Sequence, residues 1–460
     1  MKKKFLSTGL ALVMVASMLV GCGGSGSDSG STTSAPSDTQ ATEAPAADKE
    51  EATEAKDEGS SDSNTLSVAA WDLNFNIPAL KAAEKDYQEN VDPNFKLEIR
   101  EQSQAADIED AITLAGSSGD YSNLPDIVLF QDHWFQRFQH DYPDAFIDAN
   151  DADVNWEDFG QEKLSYSTVN NIHYGFPVDN GTAIFAYRTD ILKECGYTID
   201  DVTGITWDRW IDIGEDVYNK TGKYLLSMDG DGNDLIYMML QAEGSSQFKD
   251  GKPYITENET CVKVCEKIVE MCQRKACYLA NDWGDYTDQT IIGDMVAGVM
   301  NGNWIIPTIE QVKENEGKWK ITTMPTLGGG EGYASNGGSS LYITGNCKNA
   351  DLAKKFLAYT FGGSTVTYDA ALQDGGVITC CISAGKSEVY NKGVPYFEND
   401  PIYTKIVEMG SHVPVVEQSD YHYKCRTQMA AAIINAVQGS DLKTELKTAE
   451  DNLKFAMESE

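Results

Sequence analysis

The sequence lacks the short motifs that mark common classes of hydrolase and nucleotide-binding enzyme. It contains no GxSxG nucleophile elbow, no HExxH zinc motif and no glycine-rich phosphate loop. Histidine is scarce, with five residues, and 36 basic residues face 72 acidic ones, which gives a formal charge of −36. A surface this negative disfavours binding to nucleic acid and anionic lipid, and weakly favours neutral or cationic ligands.

Long apolar runs are scarce as well. The one notable run lies at the N-terminus. Phe5–Val20 follows three lysines and is shorter than the roughly 20 residues that a membrane span needs. This pattern predicts a signal peptide over residues 1–21. It ends in LVGC, a match to the bacterial lipobox, so we expect a lipid on Cys22. The alternative is an ordinary signal peptide cleaved elsewhere, with Cys22 incidental.

The next segment, residues 22–64, has almost no large apolar side chain and consists mainly of Gly, Ser, Thr, Ala, Asp and Glu. Such a segment cannot bury enough surface to offset the entropy of ordering it. We therefore predict a disordered acidic tether. Residues 65–460 exceed the size of one ordinary core and suggest two domains.

The cysteines do not form the pattern of a small disulfide-rich domain, because nine remain after Cys22 is assigned to the lipid. Cys261, Cys265 and Cys272 fall on one face of a predicted helix. A thiolate metal site is one interpretation, although a CxxC pair and a nearby histidine are lacking. The other is that these thiols are small buried apolar groups, as we expect for Cys380-Cys381.

Short apolar strands alternate with amphipathic helices along residues 65–460, which is typical of α/β layers with mostly parallel sheets. The pattern predicts strands at 65–71, 95–102 and 124–130, helices at 77–90 and 106–120, and a helix that follows Thr206 as N-cap. Over residues 174–196, a strand is interrupted by Asp-Asn-Gly, resumes and runs into a helix.

Aromatic, carboxylate and amide side chains recur directly after these strands. Ligands of α/β proteins bind where strands end, and a sugar needs both an apolar ring face and hydrogen-bonding groups. Packing in the core is the alternative role of each tryptophan. The residues concerned are Trp71, Asp72 and Asn74; Gln131, Asp132, His133 and Trp134; Asp179 and Asn180; Asp229, Asp231 and Asn233; Asp282 and Trp283; and Asn303 and Trp304.

The order and spacing of several longer stretches resemble those of extracellular solute-binding proteins of carbohydrate ABC transporters, the maltose-binding-protein-like family 1. The resemblance spans nearly all of residues 65–460. Its matching stretches are GDYSNLPDIVLF, YGFPVDNGTAIFAYRTDILKECG, TWDRWIDIGEDV, GDMVAGVMNGNWIIPTIEQ, WKITTMPTLGG, NGGSSLYITGNCKNADLAKKFLAY and YHYKCRTQMAAAIINAVQGSDLKTEL.

The resemblance implies an α/β, two-lobed periplasmic-binding-protein type II fold with three hinge crossovers. Lobe one would comprise residues 65–178 and 340–377, and lobe two residues 183–336 and 382–460. The crossovers would lie at 178–182, 337–339 and 376–381. Glycines at two of them suit hinges, in which the backbone dihedrals must change, although plain turns would also use them.

The resemblance also implies a role for the aromatic residue after the strand in AGVMNGNW, which lines the cleft and stacks on sugar in the family. Trp304 matches that position, and Asn301 and Gly302 would form the turn that directs it. The predicted ligand-binding set is Trp71, Asp72, Asn74, Asp132, Trp134, Asp179, Asn180, Asp231, Asn233, Trp283, Trp304, Tyr421 and His422.

The acidic loop SMDGDGND allows a second interpretation, because Asp229, Asp231 and Asn233 match the first half of a calcium-binding EF-hand loop. The sixth position is Asp234 instead of Gly and the twelfth is Leu240 instead of Glu, which argues against calcium.

The function that the resemblance implies is a lipid-anchored, monomeric receptor outside the bacterial cell. It would bind a sugar or oligosaccharide between its lobes and deliver it to an ABC transporter permease, without catalysis, cofactor, metal or nucleic acid. Two alternatives remain open at this point. The same fold could bind a peptide, a polyamine or a metal ion, or the protein could be a carbohydrate-active surface enzyme whose paired carboxylates the sequence does not reveal.

Overall fold

The computed structural model describes residues 64–230 and 234–459. The predicted signal peptide, the lipid site Cys22 and the tether up to residue 63 lie outside the described residues. Among the residues that are described, every helix is too short or too polar to cross a membrane.

Fourteen strands are described in residues 64–230 and 234–459. They are β1 Thr65–Trp71, β2 Lys96–Gln102, β3 Ile127–Gln131, β4 Thr168–Val169, β5 Ile172–His173, β6 Gly175–Asp179, β7 Ala183–Arg188, β8 Leu226–Asp229, β9 Phe248–Lys249, β10 Lys252–Pro253, β11 Cys277–Ala280, β12 Gly298–Gly302, β13 Trp319–Thr322 and β14 Ser339–Ile343.

Fourteen α-helices are described in the same ranges, together with a π-helical segment at Asp285–Ile292 and several short 3₁₀ turns. The α-helices are α1 Asn76–Asn90, α2 Ala105–Ser118, α3 Asp132–Asp141, α4 Gln161–Tyr166, α5 Thr189–Cys195, α6 Trp207–Thr221, α7 Asp234–Ala242, α8 Glu259–Gln273, α9 Ile306–Ile309, α10 Ala350–Thr360, α11 Thr365–Gly375, α12 Ile402–Ser411, α13 His422–Val437 and α14 Leu442–Ser459.

Helix α6 begins as its sequence predicts. The Thr206 hydroxyl accepts a hydrogen bond from the backbone N–H of Arg209 at 3.3 Å, which satisfies one of the free donors of the first turn. The helix ends at Gly222, whose φ of 75° is readily adopted by glycine. Its apolar face buries Trp207 and Trp210 completely against the neighbouring sheet.

The sheets are mixed, so the expectation of mostly parallel sheets is wrong. Sheet one has the order β2-β1-β3-β14-β6, in which β1 is parallel to β2 and β3 but β14 is antiparallel to both of its neighbours. In lobe two, β7 is antiparallel to β12 and β13, whereas β8 and β11 are parallel. Strand β14 enters sheet one from the other lobe, so no helical crossover from a neighbouring strand imposes a parallel direction.

Each lobe has a core on both faces of its sheet. In lobe two, Phe185 and Tyr187 of β7 face one apolar cluster, and Ile184 and Ala186 face the other, as the two-residue period of a strand requires. Strand β3 of lobe one alternates in the same way between two clusters. Strands covered on both faces read as continuous apolar runs, which is why AIFAYR and IVLF stand out in the sequence.

Two of the connections between the lobes run side by side. Ser339 at the start of β14 pairs with Asp179 at the end of β6. Beyond that pair, the N–H of Asn336 donates to the carbonyl of Gly181 at 2.8 Å. Gly181 has φ of 60°, and a Cβ there would lie 2.3 Å from the Asn336 carbonyl oxygen. Only glycine therefore lets these two connections approach each other.

The third connection touches both lobes. Val377 packs in the core of lobe one, whereas Ile378 belongs to an apolar cluster of lobe two. Further along, the N–H of Ile382 donates to the carbonyl of Asp158 in lobe one at 2.8 Å. The chain remains in contact with lobe one beyond Ile382, because Ala384 packs in the core of lobe one and the Ser387 hydroxyl donates to Asp369 Oδ1 at 2.6 Å.

Candidate functional site

The indole pair, Trp283 and Trp304, lies at the ends of two strands of lobe two. Strand β12 continues through Asn301 and ends at Gly302, so the prediction that these two residues form a turn is wrong. Trp304 follows in a single 3₁₀ turn at Asn303–Ile305. The Trp304 Nε1–H donates to the carbonyl of Asn336 at 2.7 Å. A Cβ on Gly302 would lie 2.3 Å from Trp304 Nε1, so a glycine at this position is what allows the indole to lie across the turn.

Trp283 follows β11 and forms the more open half of the indole pair. Its ring centroid lies 5.8 Å from that of Trp304, at an interplanar angle of 43°. Trp283 is 44% exposed, and Trp304 is half-buried. Aromatic surface left in contact with solvent beside polar groups is the arrangement expected of a ligand-binding wall.

A chain of hydrogen bonds and ion pairs, the polar chain, lies behind the indole pair. Arg426 Nε lies 2.9 Å from Asp234 Oδ1. Asn336 Nδ2 donates to Asp234 Oδ2 at 3.2 Å and to Asn301 Oδ1 at 2.8 Å. Burial raises the pKa of Asp234, and the Arg426 charge opposes that rise. Asp234 and Asn301 line one pocket with Trp283.

The ring stack, formed by His133, Trp134, His422 and Tyr423, joins the two lobes directly. His133 and Trp134 begin α3 of lobe one, and His422 and Tyr423 begin α13 of lobe two. The two imidazoles are parallel, with centroids 3.9 Å apart and an interplanar angle of 4°. Trp134 stacks on Tyr423 at 4.5 Å and 25°.

Helix α4 extends this contact between the lobes. The hydroxyls of Tyr166 and Tyr237 lie 2.7 Å apart, with Tyr237 on α7 of lobe two. Glu162 Oε1 accepts hydrogen bonds from Gln241 Nε2 at 3.0 Å and from the Ser335 hydroxyl at 2.6 Å. In this structure the lobes are therefore closed on each other through α3 and α4.

The hinge cluster comprises Asp132, Lys163, Asp179, Ser339 and Ser340. Lys163 Nζ donates to Asp132 Oδ2 at 2.6 Å and to the Ser339 carbonyl at 2.8 Å, and both charged side chains are fully buried. Asp132 Oδ1 accepts from the Ser340 hydroxyl at 3.1 Å, and Asp179 Oδ1 accepts from the Ser339 N–H at 2.9 Å.

Burial dominates the titration of the hinge cluster. It raises the pKa of Asp132 to about 7, against the opposing charge of Lys163. It also raises the pKa of Asp179, and Lys163 and the Ser339 N–H oppose that rise. For Lys163, burial acts in the other direction, but the carboxylate of Asp132 keeps its pKa above the ordinary value. The ammonium is thus held charged at the centre of the hinge.

The structure brings together Trp134 and His422, and separately Trp283 and Trp304, from the predicted binding set. Asp132 and Asp179 instead lie in the hinge cluster, where they bind partners within the protein. Asn180 is buried beside them, and its Oδ1 has no hydrogen-bond partner among the described residues. Tyr421 is half-buried and packs against the core of lobe two.

Three predicted residues of lobe one stand apart from this group. Trp71 ends β1 and packs against both apolar clusters of lobe one. Asp72 and Asn74 are exposed, and Asp72 Oδ1 accepts from the N–H of Asn74 at 3.0 Å. Among the residues that the structure describes, no hydrogen bond or ring contact joins these three to the indole pair. Asp231 and Asn233 lie outside the described residues.

The sequence reasoning missed several residues of the cleft. Tyr423 and Arg426 fall in YHYKCR, beside the two residues that were selected from it, and their helical spacing could have indicated a shared face. His133 is one of the predicted strand-end residues and lies outside the predicted binding set. The others depend on contacts with groups that are distant in sequence, which spacing alone does not indicate: Glu162, Lys163, Tyr166, Asp234, Tyr237, Gln241, Asn301 and Asn336.

The nine described cysteines are all free thiols, and eight of them are buried. Cys261 and Cys265 pack in the apolar core of lobe two, as the interpretation of small buried groups predicts. Within residues 64–230 and 234–459, no group of three His, Cys, Asp or Glu side chains is placed to hold a metal ion. The calcium interpretation concerns Asp231 and Asn233, whose positions are not described.

Comparison with known proteins gives a family and a fold. The family model of bacterial extracellular solute-binding proteins matches residues 81–397. The chain is 29% identical over 390 residues to the lactose-binding protein of Rhizobium radiobacter, an alignment that covers 84% of this chain and 91% of that protein.

Solved structures share the architecture at lower sequence identity. The crystal structure of an extracellular solute-binding protein of family 1 has a TM-score of 0.71 and 17% identity, and the match covers 85% of this chain and 99% of that one. The ABC transporter associated binding protein of B. animalis subsp. lactis Bl-04, in complex with β-1,6-galactobiose, has a TM-score of 0.64 and 17% identity, with coverages of 85% and 96%. These likenesses confirm the predicted two-lobed α/β fold.

Proposed function

This chain belongs to the family of bacterial extracellular solute-binding proteins, and we propose that it captures a neutral saccharide between its two lobes for an ABC transporter. The similar proteins that were compared are binding proteins, and two of them are described as binding lactose and β-1,6-galactobiose. Their names support a short saccharide as the ligand class. The family is extracellular, which agrees with the signal peptide predicted at residues 1–21.

The observation that carries the proposal is the indole pair beside the polar chain. Trp283 and Trp304 offer ring faces on which the C–H face of a sugar can stack. Asp234, Asn301 and Asn336 supply carboxylate and amide groups next to those rings, where sugar hydroxyls need hydrogen-bond partners. A neutral ligand also fits the excess of acidic residues, because it meets no electrostatic repulsion.

The mechanism that we propose is closure of the lobes about the hinge cluster. The first two connections are hydrogen-bonded to each other near Gly181 and Asn336, so they bend as one unit. A sugar that touches both lobes stabilises the closed form in proportion to its higher affinity for that form. On this proposal the lobes comprise residues 65–178 with 340–377 and residues 183–336 with 382–460.

The lipid anchor and the permease remain part of the proposal. A diacylglycerol on Cys22 would hold the protein at the membrane, and residues 22–64 would act as a tether that lets the lobes reach the permease. Mass spectrometry of the protein isolated from membranes tests the anchor, since a lipidated Cys22 increases the mass of the N-terminal peptide by that of the lipid.

Calorimetric titration of the chain with monosaccharides, disaccharides and longer oligosaccharides tests the sugar proposal. We expect one of these neutral sugars to bind, with a one-to-one stoichiometry. Peptides and polyamines are titrated in parallel, and tight binding of one of those with no sugar response would overturn the proposal. Release of free monosaccharide from a bound oligosaccharide would show an enzyme instead of a receptor.

A further inference from the structure

Two buried histidines meet face to face across the interface between the lobes. His133 of α3 and His422 of α13 are 7% and 6% exposed, and their parallel rings are 3.9 Å apart. A sugar ring inserted between them would need about twice that separation, since each aromatic contact takes at least about 3.5 Å. The imidazole contact is therefore a contact of lobe with lobe, and any opening of the lobes must break it.

The surroundings of this pair provide rings and positive charges instead of a partner for an imidazolium. Tyr166 and Tyr237 contact His133 edge to face, with centroids 4.8 and 5.1 Å away. Neither ring nitrogen of His133 has a hydrogen-bond partner among the described residues. A positive charge added to either ring would lie 3.9 Å from the stacked imidazole, and at His133 no hydrogen-bond acceptor among the described residues would compensate it.

Burial and the nearby positive charges also disfavour protonation of the two imidazoles. Burial lowers the pKa of His133 well below its ordinary value of 6.5, and His422, Arg426 and Lys163 lower it further. Burial and Arg426 lower the pKa of His422 to about 3. Both imidazoles are thus neutral in the closed form.

We propose that the His133–His422 contact makes lobe closure sensitive to protons, so that acid opens the lobes and weakens sugar binding. Opening lets both imidazoles take up a proton from solvent, and closing must expel both. At a pH below 6.5 this uptake favours the open form by mass action. The proposal deepens the proposed function, because it assigns a regulator to the same cleft.

Other titratable groups face the ring stack, and several act in the opposite sense. Burial raises the pKa of Glu109 to about 7 and raises those of Glu162, Asp132 and Asp234, so at these carboxyls acid favours the closed form. At the rim, His140 Nδ1 lies 3.6 Å from Asp420 Oδ2, which is a further contact between the lobes. The charged and titratable groups around the stack are Glu109, Asp132, His140, Glu162, Lys163, Tyr166, Asp234, Tyr237, Asp420, Tyr423 and Arg426.

The test compares sugar affinity at pH 7.5 and 5.5 in the wild-type chain and in the double variant His133→Phe/His422→Phe. Phenylalanine keeps a ring at both positions but cannot be protonated, and every opposing carboxyl remains in the variant. With an ordinary imidazole pKa of 6.5, acidification should weaken wild-type binding about tenfold for each histidine relative to the variant. The two together should give a difference of up to about 100-fold, which becomes smaller the more the unliganded lobes are closed at pH 7.5, measured by calorimetry with lactose as the probe.

The single variant His422→Phe lacks one of the two imidazoles, so acidification should weaken its sugar binding about tenfold less than that of the wild type. This variant replaces the double variant if the double variant does not fold. His412→Phe is the matched control, because His412 is exposed and its ring contact is with Tyr333 on the same lobe. We expect this control to follow the wild type at both pH values. If acidification from pH 7.5 to 5.5 changes the affinities of the wild type and the double variant by the same factor, the proposal is overturned.

A second measurement needs no sugar. Small-angle X-ray scattering of the unliganded wild type should show a larger radius of gyration at pH 5.5 than at 7.5, and the double variant should show a smaller increase. If no saccharide binds at pH 7.5, the proposed function fails while the scattering still tests the histidine contact. Equal increases in the two proteins would overturn the histidine proposal and leave sugar binding intact.

Discussion

The hinge cluster and the indole pair both lie at strand ends, but they differ in burial. The polar groups of the hinge cluster are hydrogen-bonded inside the protein, whereas the rings of the indole pair remain partly exposed. Asp132 and Lys163 are completely buried, and each binds further partners of the hinge cluster besides the other. Trp283 exposes 44% of its surface, and Trp304 uses its one donor on a backbone carbonyl while part of its ring remains accessible.

This difference separates residues that hold the fold from residues that are available to a ligand. Asp132 and Trp304 were both selected from the sequence for the same reason, their position directly after a strand. The structure shows that Asp132 is completely buried with an ammonium and a hydroxyl as partners, so a sugar cannot reach it, whereas the Asp234 side chain is 22% exposed. We therefore expect changes in the hinge cluster to alter stability, and changes in the indole pair to alter affinity.

The largest effect is expected from Lys163→Met, which leaves the Asp132 carboxylate buried without its partner. Breaking a buried pair in this way costs about 3–5 kcal/mol of unfolding free energy. Urea denaturation followed by circular dichroism measures it. Lys96→Met is the matched control, because Lys96 pairs with Glu98 on the surface with 62% of its side chain exposed. If both variants unfold at the same urea concentration, the hinge cluster has no special role in stability.

Trp304→Ala changes the indole pair and should therefore alter sugar affinity. Loss of a stacked indole should weaken sugar binding by about 1–3 kcal/mol, as measured by calorimetry. Trp304→Phe keeps a ring but loses the hydrogen bond to Asn336, so its affinity should lie between those of the wild type and the alanine variant. A folded Trp304→Ala protein with wild-type affinity would contradict the assignment of the indole pair.

His173 extends the comparison to pH, because it is a half-buried group whose hydrogen-bond partners lie in lobe one alone. Burial lowers its pKa to about 4, and its Nε2 lies 2.7 Å from the carbonyl oxygen of Gly175. Below pH 6.5 the unfolded chain binds a proton at this imidazole and the folded chain does not. Stability is therefore present above pH 6.5 and is lost as the pH falls toward 4, by about 1.4 kcal/mol at pH 5.5.

Urea unfolding of the wild type and of His173→Gln at pH 7.5 and 5.5 checks this slope. The variant should lose less stability on acidification, by the contribution of one imidazole. His412→Gln, which changes an exposed histidine, should keep the wild-type slope. An unchanged slope in His173→Gln would mean that burial does not keep this imidazole neutral.

The smallest effect is expected from Trp283→Ala. Its ring is the more exposed of the indole pair, so affinity should fall by about 0.5–1.5 kcal/mol. The unfolding free energy should change by less than the affinity, because 44% of the residue is exposed and only the rest packs against Tyr286 and Trp304. Calorimetry and urea denaturation of the same preparation measure both. A loss of stability that exceeds the loss of affinity would place Trp283 with the structural residues.

Local features of the fold could be predicted from the sequence because they depend on neighbouring residues. The Thr206 N-cap and the break after Asp179 each use a residue type whose conformational preference is strong, whereas Asn301 and Gly302, predicted as a turn, are paired in β12. The antiparallel direction of β14 could not be predicted, since it pairs with β3 more than 200 residues earlier in the chain.

The candidate site was predictable only where its residues are aromatic and follow a strand, as Trp283 and Trp304 do. The burial of Asp132 depends on Lys163, which lies on the six-residue helix α4 that shows no clear amphipathic pattern. The meeting of His133 with His422 depends on how the two lobes close, almost 300 residues apart in sequence. Neither contact leaves a local signal in composition or spacing.

The measurement that tests the central claim most directly is a crystal structure of the chain with the sugar that binds tightest in the calorimetric screen. We predict one sugar ring stacked on the Trp304 indole, about 4 Å from its plane, with hydroxyls bonded to Asn301, Asn336 or Asp234. A sugar bound away from both lobes' facing surfaces, with the indole pair still exposed to solvent, would contradict the account.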